Sequence, residues 1–122
     1  MKALVVDDSA VMRKVLIGAL SKAGITDVDE AGDGQEAVAA VEGGDYDLLL
    51  MDWYMPNMLG IEAVHAIRAA GSKVPIIMVT TEAEKSRVIE ALKAGANNYI
   101  IKPFKPAAIV AKIKEVMDKA GG

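Results

Sequence analysis

The stretch Leu48–Pro56 reads Leu-Leu-Leu-Met-Asp-Trp-Tyr-Met-Pro, and it indicates the fold class of the chain. Four large apolar residues precede one carboxylate without a polar interruption, which is typical of a strand buried on both faces of a parallel sheet. Pro56 and Asn57 mark a turn, so Asp52 falls where the strand ends. Ligands of open parallel sheets bind just outside the carboxyl ends of the strands. Asp52 is therefore a candidate functional residue, with a turn aspartate of no further role as the alternative.

The composition predicts one globular domain over residues 1–122, with no output domain. Of the 122 residues, 52% are hydrophobic and 25% are charged, as in an ordinary globular protein. The formal net charge of -3 gives no electrostatic reason to expect nucleic acid or an anionic membrane as partner. The chain has no cysteine, which excludes disulfides and thiolate metal sites. Because no signal peptide or membrane-spanning stretch is evident, we expect a cytoplasmic protein. We also expect it to be a monomer.

Strand patterns alternate with helix patterns five times along the chain. The predicted strands cover residues 3–6, 28–31, 48–51, 75–80 and 98–101. The predicted helices lie between Ser9 and Gly24 and over residues 34–41, 61–70, 84–94 and 106–119. This alternation predicts an α/β fold, a doubly wound five-stranded parallel sheet with helices on both faces. The second strand is polar, so we expect it at a sheet edge, and we expect the terminal Gly121–Gly122 to be frayed.

Apolar residues at helical spacing predict which helix faces enter the core. In the first helix these residues are Val11, Met12, Val15, Leu16, Ala19 and Leu20. In the fourth helix they are Val88, Ile89 and Leu92, and in the last helix Ile109, Val110, Ile113, Val116 and Met117.

Polar residues follow four of the five predicted strands. Asp7 and Asp8 end the first strand and Asp52 ends the third, so three carboxylates converge if these strands are neighbours. Like charges this close destabilise one another unless a cation neutralises them, and oxygen-only ligands suit Mg²⁺. Thr80 ends the fourth strand and Lys102 the fifth. A hydroxyl, an ammonium group and a metal around one carboxylate indicate a phosphoryl site, with the carboxylate as nucleophile.

Four patches in this order resemble the signature patches of the response-regulator receiver domain. They are Val6–Ser9, Met51–Pro56, Val79–Thr81 and Ile101–Phe104. The similarity covers the whole chain and is greatest in type to the stand-alone chemotaxis regulators of the family, which share the pattern Asp-Trp-x-Met-Pro-Asn-Met. The resemblance implies a flavodoxin-like sheet with strand order 2-1-3-4-5, for which chemotaxis receivers are themselves a standard example.

The resemblance also implies a role for each site residue. Asp52 would accept a phosphoryl group from a phosphohistidine of a sensor histidine kinase, and the protein would catalyse only its own phosphorylation and dephosphorylation. Mg²⁺ would be bound by Asp8, Asp52 and the backbone carbonyl of Tyr54, with Asp7 acting through water. Thr80 and Lys102 would contact the phosphoryl oxygens, and Lys102–Pro103 would be a cis peptide. The switch would be Thr80 with Tyr99.

The output implied by the resemblance is binding to a downstream protein such as the flagellar motor switch. The docking face would comprise the fourth helix, the fifth strand and the fifth helix, with Arg87, Lys93, Tyr99 and Lys112 as candidate residues. A phosphorelay intermediate or phosphate sink is the alternative within the family. Tyr54, in place of the asparagine of the chemotaxis regulators, and Leu59, in place of an acidic residue, are departures that bear on the lifetime of the phosphorylated state.

A different class of function is suggested by Gly32–Ala37, which fits the G-x-G-x-x-A form of the dinucleotide fingerprint. This motif would make the protein a flavodoxin-like nucleotide-binding module. However, Asp33 and Glu36 lie where a pyrophosphate would approach, and the motif follows the second strand rather than the first. A glycine turn that begins a helix is the favoured interpretation.

Overall fold

The computed structural model describes the backbone of residues 1–121 and the side chains of residues 1–119. The strands are β1 (Lys2–Val6), β2 (Asp27–Ala31), β3 (Leu48–Met51), β4 (Ile76–Thr80) and β5 (Asn98–Ile101). The helices are α1 (Ala10–Lys22), α2 (Gly34–Gly43), α3 (Gly60–Ala69), α4 (Lys85–Ala94) and α5 (Pro106–Gly121). Gly121 is the last residue of α5, and the expectation about Gly122 falls outside the described residues.

The strands form one parallel sheet in the order β2-β1-β3-β4-β5. The predicted fold class and strand order are therefore confirmed, and the polar β2 lies at an edge. In register, Val6 of β1 is opposite Met51 of β3, and Thr80 of β4 is opposite Ile101 of β5. The residues that follow these strands consequently meet at the carboxyl edge of the sheet.

Alternating strand residues build two apolar layers, one on each face of the sheet. Helices α1 and α5 cover one face, where Val5, Leu50 and Val79 are buried. Helices α2, α3 and α4 cover the other face, where Val6, Met51 and Met78 are buried. Because both faces are covered, the central strand β3 is apolar and buried at every position, as the run at Leu48–Met51 predicts. Within residues 1–121, no helix has the length and hydropathy needed to cross a bilayer.

Two of the predicted helix faces are wider than the faces that the structure buries. Val11 and Val15 of α1 are 74% and 46% exposed, and only Leu16, Ala19 and Leu20 of that helix are buried. The first two residues lie on the shoulder of the apolar stripe, beyond the contact with the sheet. In α4, Ile89 and Leu92 are 40% and 44% exposed, because the helix packs on the sheet through Ala91. The prediction that these four residues face the core is therefore wrong.

Candidate functional site

Three carboxylates meet at the carboxyl edge of the sheet. Asp7 and Asp8 follow β1, and Asp52 follows the neighbouring β3, where its amide donates to the carbonyl of Val6 at 3.0 Å. One oxygen of each carboxylate lies within 4.8 Å of the others. Asp7 and Asp52 are buried, with 1% and 9% of their surfaces exposed, whereas Asp8 is open to solvent. The structure thus brings together the acidic residues that strand adjacency predicted.

Lys102 supplies the positive charge inside this cluster. Its Nζ lies 2.7 Å from Oδ2 of Asp7 and 3.2 Å from Oδ2 of Asp52. The side chain comes from the end of β5 and reaches across β4, and its peptide bond to Pro103 is cis. Burial lowers the pKa of Lys102, but the hydrogen bond to Asp7 and the charge of Asp52 outweigh burial, so the pKa is raised overall. The lysine is therefore held in its charged form.

Asp52 is under opposing influences. Burial raises the pKa of its carboxyl group, while the Lys102 charge, the Thr80 hydroxyl and the Trp53 amide act to lower it. The Trp53 amide donates to Oδ1 at 2.7 Å. Thr80 is fully buried, and its Oγ1 also accepts the amide of Glu82 at 3.2 Å. The effect of burial is the larger, so the pKa of Asp52 is raised overall. A carboxyl group with a shifted pKa beside a charged partner is typical of a functional site.

Gly60 fixes the backbone that carries Asp52, a role that the sequence patterns did not reveal. A Cβ atom at Gly60 would lie 1.9 Å from the carbonyl oxygen of Asp52, so only glycine allows this close approach. The Gly60 amide donates to the Trp53 carbonyl at 2.8 Å. Glycine has a low helix propensity, yet it is the first residue of α3. This mismatch is the sequence signal that could have indicated a close backbone contact at Gly60.

Glu82, in the loop between β4 and α4, is the second residue that the sequence patterns missed. Its carboxylate accepts the hydroxyl of Tyr54, and its backbone carbonyl accepts the hydroxyl of Tyr99 at 2.7 Å. The Tyr54 side chain is half exposed beside the carboxylates. Tyr99 is half-buried, and burial, with the nearby Glu82 charge, raises its pKa to about 12. Both tyrosines are thus hydrogen-bonded to Glu82 of the β4–α4 loop. The amide of the same residue donates to Thr80.

Residues of the predicted docking face occupy α4, β5 and α5. Arg87 and Lys93 are exposed on α4, and Lys112 is half-buried on α5. The Arg87 guanidinium carbon also lies 6.0 Å from the centre of the Trp53 ring, within range of a cation–π contact. Arg87 therefore connects α4 with the residue next to Asp52.

The glycine motif at residues 32–37 forms a helix cap. Asp33 caps α2 by accepting the amide of Glu36 at 2.8 Å, and the Glu36 carboxylate accepts the amide of Gly32 at 2.6 Å. This pair resembles a capping box, except that the Glu36 carboxylate accepts the amide of the residue before the N-cap. Side chains of the motif therefore already satisfy two of its backbone donors. The Gly32 amide that would approach a phosphate is occupied by a carboxylate.

Comparison with known proteins places the chain in a family. A family model described as "Response regulator receiver domain" matches residues 3–114. The chain belongs to this family. The receiver domain is 39% identical to chemotaxis protein CheY of Pseudomonas aeruginosa over 100% of both chains. It is 47% identical to chemotaxis protein CheY1 of Helicobacter pylori over 96% of this chain and 97% of the relative.

Solved structures agree with this assignment. The receiver domain of Francisella response regulator 1452 aligns with a TM-score of 0.89 at 28% identity, covering 97% of each chain. Vibrio cholerae CheY4, crystallised at low pH, aligns with a TM-score of 0.85 at 35% identity, covering 94% of this chain and 97% of the other. The protein is therefore a CheY-like receiver domain, a signalling protein of the response-regulator class rather than a conventional enzyme.

The donor atoms at the carboxyl edge fit the metal that receiver domains typically bind. The carboxylates of Asp7, Asp8 and Asp52 supply oxygen ligands only, and this cluster could hold a metal ion. Hard oxygen donors with one solvent-facing member suit Mg²⁺, which retains several waters when a protein binds it. The excess of three carboxylates over the single Lys102 ammonium gives a local negative charge that a divalent cation would offset.

Proposed function

We propose that this receiver domain is a chemotaxis response regulator of the cytoplasm that accepts a phosphoryl group on Asp52. The observation that carries the proposal is the surroundings of Asp52, a nearly buried carboxylate whose oxygens face Lys102 and lie within 4.8 Å of two further carboxylates. Phosphoryl transfer to a carboxylate uses this combination of a nucleophilic oxygen, a fixed ammonium group and a cation site.

In the proposed reaction, a carboxylate oxygen of Asp52 attacks the phosphorus of a kinase phosphohistidine. The O–P bond forms as the P–N bond breaks, and the departing imidazole keeps the bonding electron pair and takes a proton from water. The Lys102 ammonium lies 3.2 Å from Oδ2 of Asp52, where it can balance charge on the incoming phosphoryl oxygens. The Thr80 hydroxyl is available as a donor to another of these oxygens.

Mg²⁺ bound by Asp8, Asp52 and the Tyr54 carbonyl, with Asp7 through water, would supply further positive charge to the phosphoryl group. The Lys102 charge acts to lower the pKa of Asp52 against the larger effect of burial, and so favours the ionised carboxylate that a nucleophile requires. Tyr54 covers one side of the site through its bond to Glu82, and its ring limits the approach of water to the acyl phosphate.

We propose that the switch runs from Thr80 through Glu82 to Tyr99. A phosphoryl group carries a charge of about -1.5 to -2 in place of the single negative charge of the carboxylate, and it draws the Thr80 hydroxyl towards it. Because Thr80 Oγ1 accepts the Glu82 amide, this movement shifts the β4–α4 loop. The Glu82 carbonyl holds the Tyr99 hydroxyl, so the shift reaches β5 as well. In this switch Tyr99 would rotate towards the interior, starting from a half-buried, hydrogen-bonded position.

The proposed partners are a sensor histidine kinase and a downstream protein that binds the face formed by α4, β5 and α5. Chemotaxis is proposed because the relatives in Pseudomonas aeruginosa and Helicobacter pylori are chemotaxis proteins matched over nearly their full lengths. A flagellar motor switch protein is the proposed downstream target.

NMR spectra with and without beryllofluoride and Mg²⁺ test this proposal, since beryllofluoride mimics a phosphoryl group on an aspartate. We expect amide shifts at Thr80, Glu82, Tyr99 and along α4, with none in Asp52→Asn. Shifts confined to the residues around Asp52 would contradict the switch, and unchanged spectra would contradict the phosphoryl site.

A further inference from the structure

The β3–α3 loop, residues 52–59, is hydrogen-bonded to the N-terminus of α2. Nδ2 of Asn57 donates to Oδ2 of Asp33 at 2.7 Å. Asp33 is the N-cap of α2, and its other carboxylate oxygen accepts the amide of Glu36. These two bonds lower the pKa of the Asp33 carboxyl group, the bond to Glu36 more than the bond to Asn57. The bond to Asn57 is therefore made to a charged carboxylate, which strengthens it.

The backbone of the same loop is packed against the first residue of α2. A Cβ atom at Gly34 would lie 2.7 Å from the carbonyl oxygen of Met58 and 2.9 Å from Cβ of Met58. Only glycine allows the loop to approach α2 this closely. Asn57 has a φ of 68°, in the left-handed region that asparagine tolerates better than most residues. The contact thus depends on permissive residues on both of its sides.

This loop carries Tyr54, whose backbone carbonyl is a proposed ligand of Mg²⁺. A backbone carbonyl has no side-chain rotation with which to adjust, so its direction is set by the path of the loop. The Asp52 amide fixes the start of the loop by donating to Val6, and the Gly60 amide fixes its end by donating to Trp53. The direction of the Tyr54 carbonyl is set by what holds the chain between these points.

Two different contacts hold the middle of the loop on the α2 side. The side chain of Met55 is buried in the apolar core. Apolar burial is non-directional, so it fixes how deeply the loop lies without fixing its rotation. The hydrogen bond between Asn57 and Asp33 is directional and supplies the missing constraint.

We propose that Asp33 and Asn57 are positioning residues of the metal site, which orient the Tyr54 carbonyl towards Mg²⁺ through the β3–α3 loop. The inference rests on the proposed phosphoryl site and adds to it a control of Mg²⁺ affinity from α2. The apparent affinity for a ligand falls with the population of the conformation that binds it. Loss of the bond lowers that population, so Mg²⁺ binds more weakly. Because such coupling is reciprocal, Mg²⁺ also orders the N-terminus of α2.

Two substitutions of Asp33 separate the hydrogen bond from the charge and from the helix cap. Serine and asparagine both remove the negative charge, and both cap a helix about as well as aspartate. Serine is too short to reach Asn57, whereas asparagine can bond to Asn57 once the Asn57 amide group rotates. Asp33→Ser therefore breaks the contact, and Asp33→Asn keeps it.

Mg²⁺ titrations followed by Trp53 fluorescence and NMR amide shifts give the dissociation constant of each variant. We expect Asp33→Ser to weaken Mg²⁺ binding by roughly fivefold, the effect of one exposed hydrogen bond, and Asp33→Asn by at most about twofold. Asn57→Gly keeps the positive φ and should match Asp33→Ser, and the double variant should be no weaker than either single one. Asp45→Asn removes an exposed charge beyond the other end of α2 and should bind like the wild type.

Amide signals provide a readout that a loss of overall stability does not reproduce. In the wild type, Mg²⁺ should shift the amides of Gly34 and Glu36 in α2. In Asp33→Ser at saturating Mg²⁺, these shifts should disappear while the shift at Tyr54 remains. Without metal, the Met58 amide should exchange its hydrogen faster in Asp33→Ser than in Asp33→Asn.

The outcomes distinguish this inference from the metal site on which it rests. Equal Mg²⁺ affinity in Asp33→Ser and Asp33→Asn, or additive losses in the double variant, would overturn the inference and leave the metal site intact. Equal weakening in Asp45→Asn would assign the effect to charge and would overturn it as well. A wild type that responds to Mg²⁺ no more than Asp8→Asn does would contradict the metal site itself, and the inference with it.

Discussion

Substituting Gly60 with alanine should damage both the stability of the fold and the placement of Asp52. The added Cβ atom would lie 1.9 Å from the Asp52 carbonyl oxygen, 2.9 Å from its carbonyl carbon and 3.1 Å from Cα of Trp53. All three atoms belong to the backbone, so no side-chain rotation relieves the overlap. The segment 52–53 and the start of α3 must instead move apart.

The size of the effect follows from this geometry. Carbon and oxygen atoms in close contact lie about 3.3 Å apart, so the backbones must separate by about 1.4 Å. Overpacking of this kind costs about 1–3 kcal/mol, and loss of the Gly60–Trp53 hydrogen bond about 1 kcal/mol more. Alanine returns about 1 kcal/mol through its better helix propensity. We therefore expect a net loss of about 2 kcal/mol, or a Tm lower by about 8 °C.

Urea unfolding followed by circular dichroism measures this loss, with Gly18→Ala as the matched control. Gly18 is an exposed residue within α1 with no atom within 4 Å of its added Cβ, so that variant should gain about 0.5–1 kcal/mol. A shift of about 1 Å at Asp52 should also slow phosphorylation by up to about a hundredfold in Gly60→Ala only. If Gly60→Ala were as stable and as reactive as Gly18→Ala, the reasoning about the Asp52 backbone would be wrong.

Three further predictions concern the charges at the site. Because burial raises the pKa of Asp52, the folded state binds its proton more tightly than the unfolded state, and stability falls as pH rises from the ordinary aspartate pKa to the raised one. Asp52→Asn should therefore melt at a higher temperature than wild type at neutral pH, and the difference should disappear in acid; equal melting at neutral pH would contradict it. Lys102→Met leaves Asp7 and Asp52 without their buried partner and should lower the free energy of unfolding by about 3 kcal/mol in urea titrations, against little change for the exposed control Lys73→Met. Mg²⁺ at a hundred times its dissociation constant should raise the free energy of unfolding of wild type by about 2.7 kcal/mol, and Asp8→Asn should lose this response, with NaCl of equal ionic strength as the control.

Local sequence patterns predicted the fold class, and the family resemblance supplied the strand order that brings the main cluster of the site together. The unbroken apolar run at Leu48–Met51 requires cover on both faces of the sheet, which a doubly wound arrangement supplies. Once β1 and β3 are neighbours, Asp7, Asp8 and Asp52 must converge, because each lies within two residues of the end of its strand. Residues that act at strand ends are therefore readable from the sequence.

Contacts that depend on loop conformation could not be predicted in the same way. Glu82 meets Tyr54 and Tyr99 only because the β4–α4 loop turns back over the sheet edge, and no periodicity specifies that path. The close approach of Gly60 to Asp52 likewise arises from the path of the β3–α3 loop.

Helix periodicity also predicts which side of a helix faces the core, but it does not predict how wide the buried face is. Val11 and Val15 match the stripe of α1 and yet face solvent. The width of a buried face depends on how the helix is rotated against the sheet, and that rotation is a property of the assembled core.

The central claim is that Asp52 accepts the phosphoryl group, and mass spectrometry after incubation with acetyl phosphate tests it most directly. With Mg²⁺ present, we expect one phosphoryl group on the peptide that contains Asp52, labile in base as an acyl phosphate is. The group should be absent without Mg²⁺ and absent in Asp52→Asn, while the Lys73→Met control is labelled like the wild type. Undiminished labelling of Asp52→Asn, or a phosphoryl group mapped to another residue of the wild type, would contradict the account.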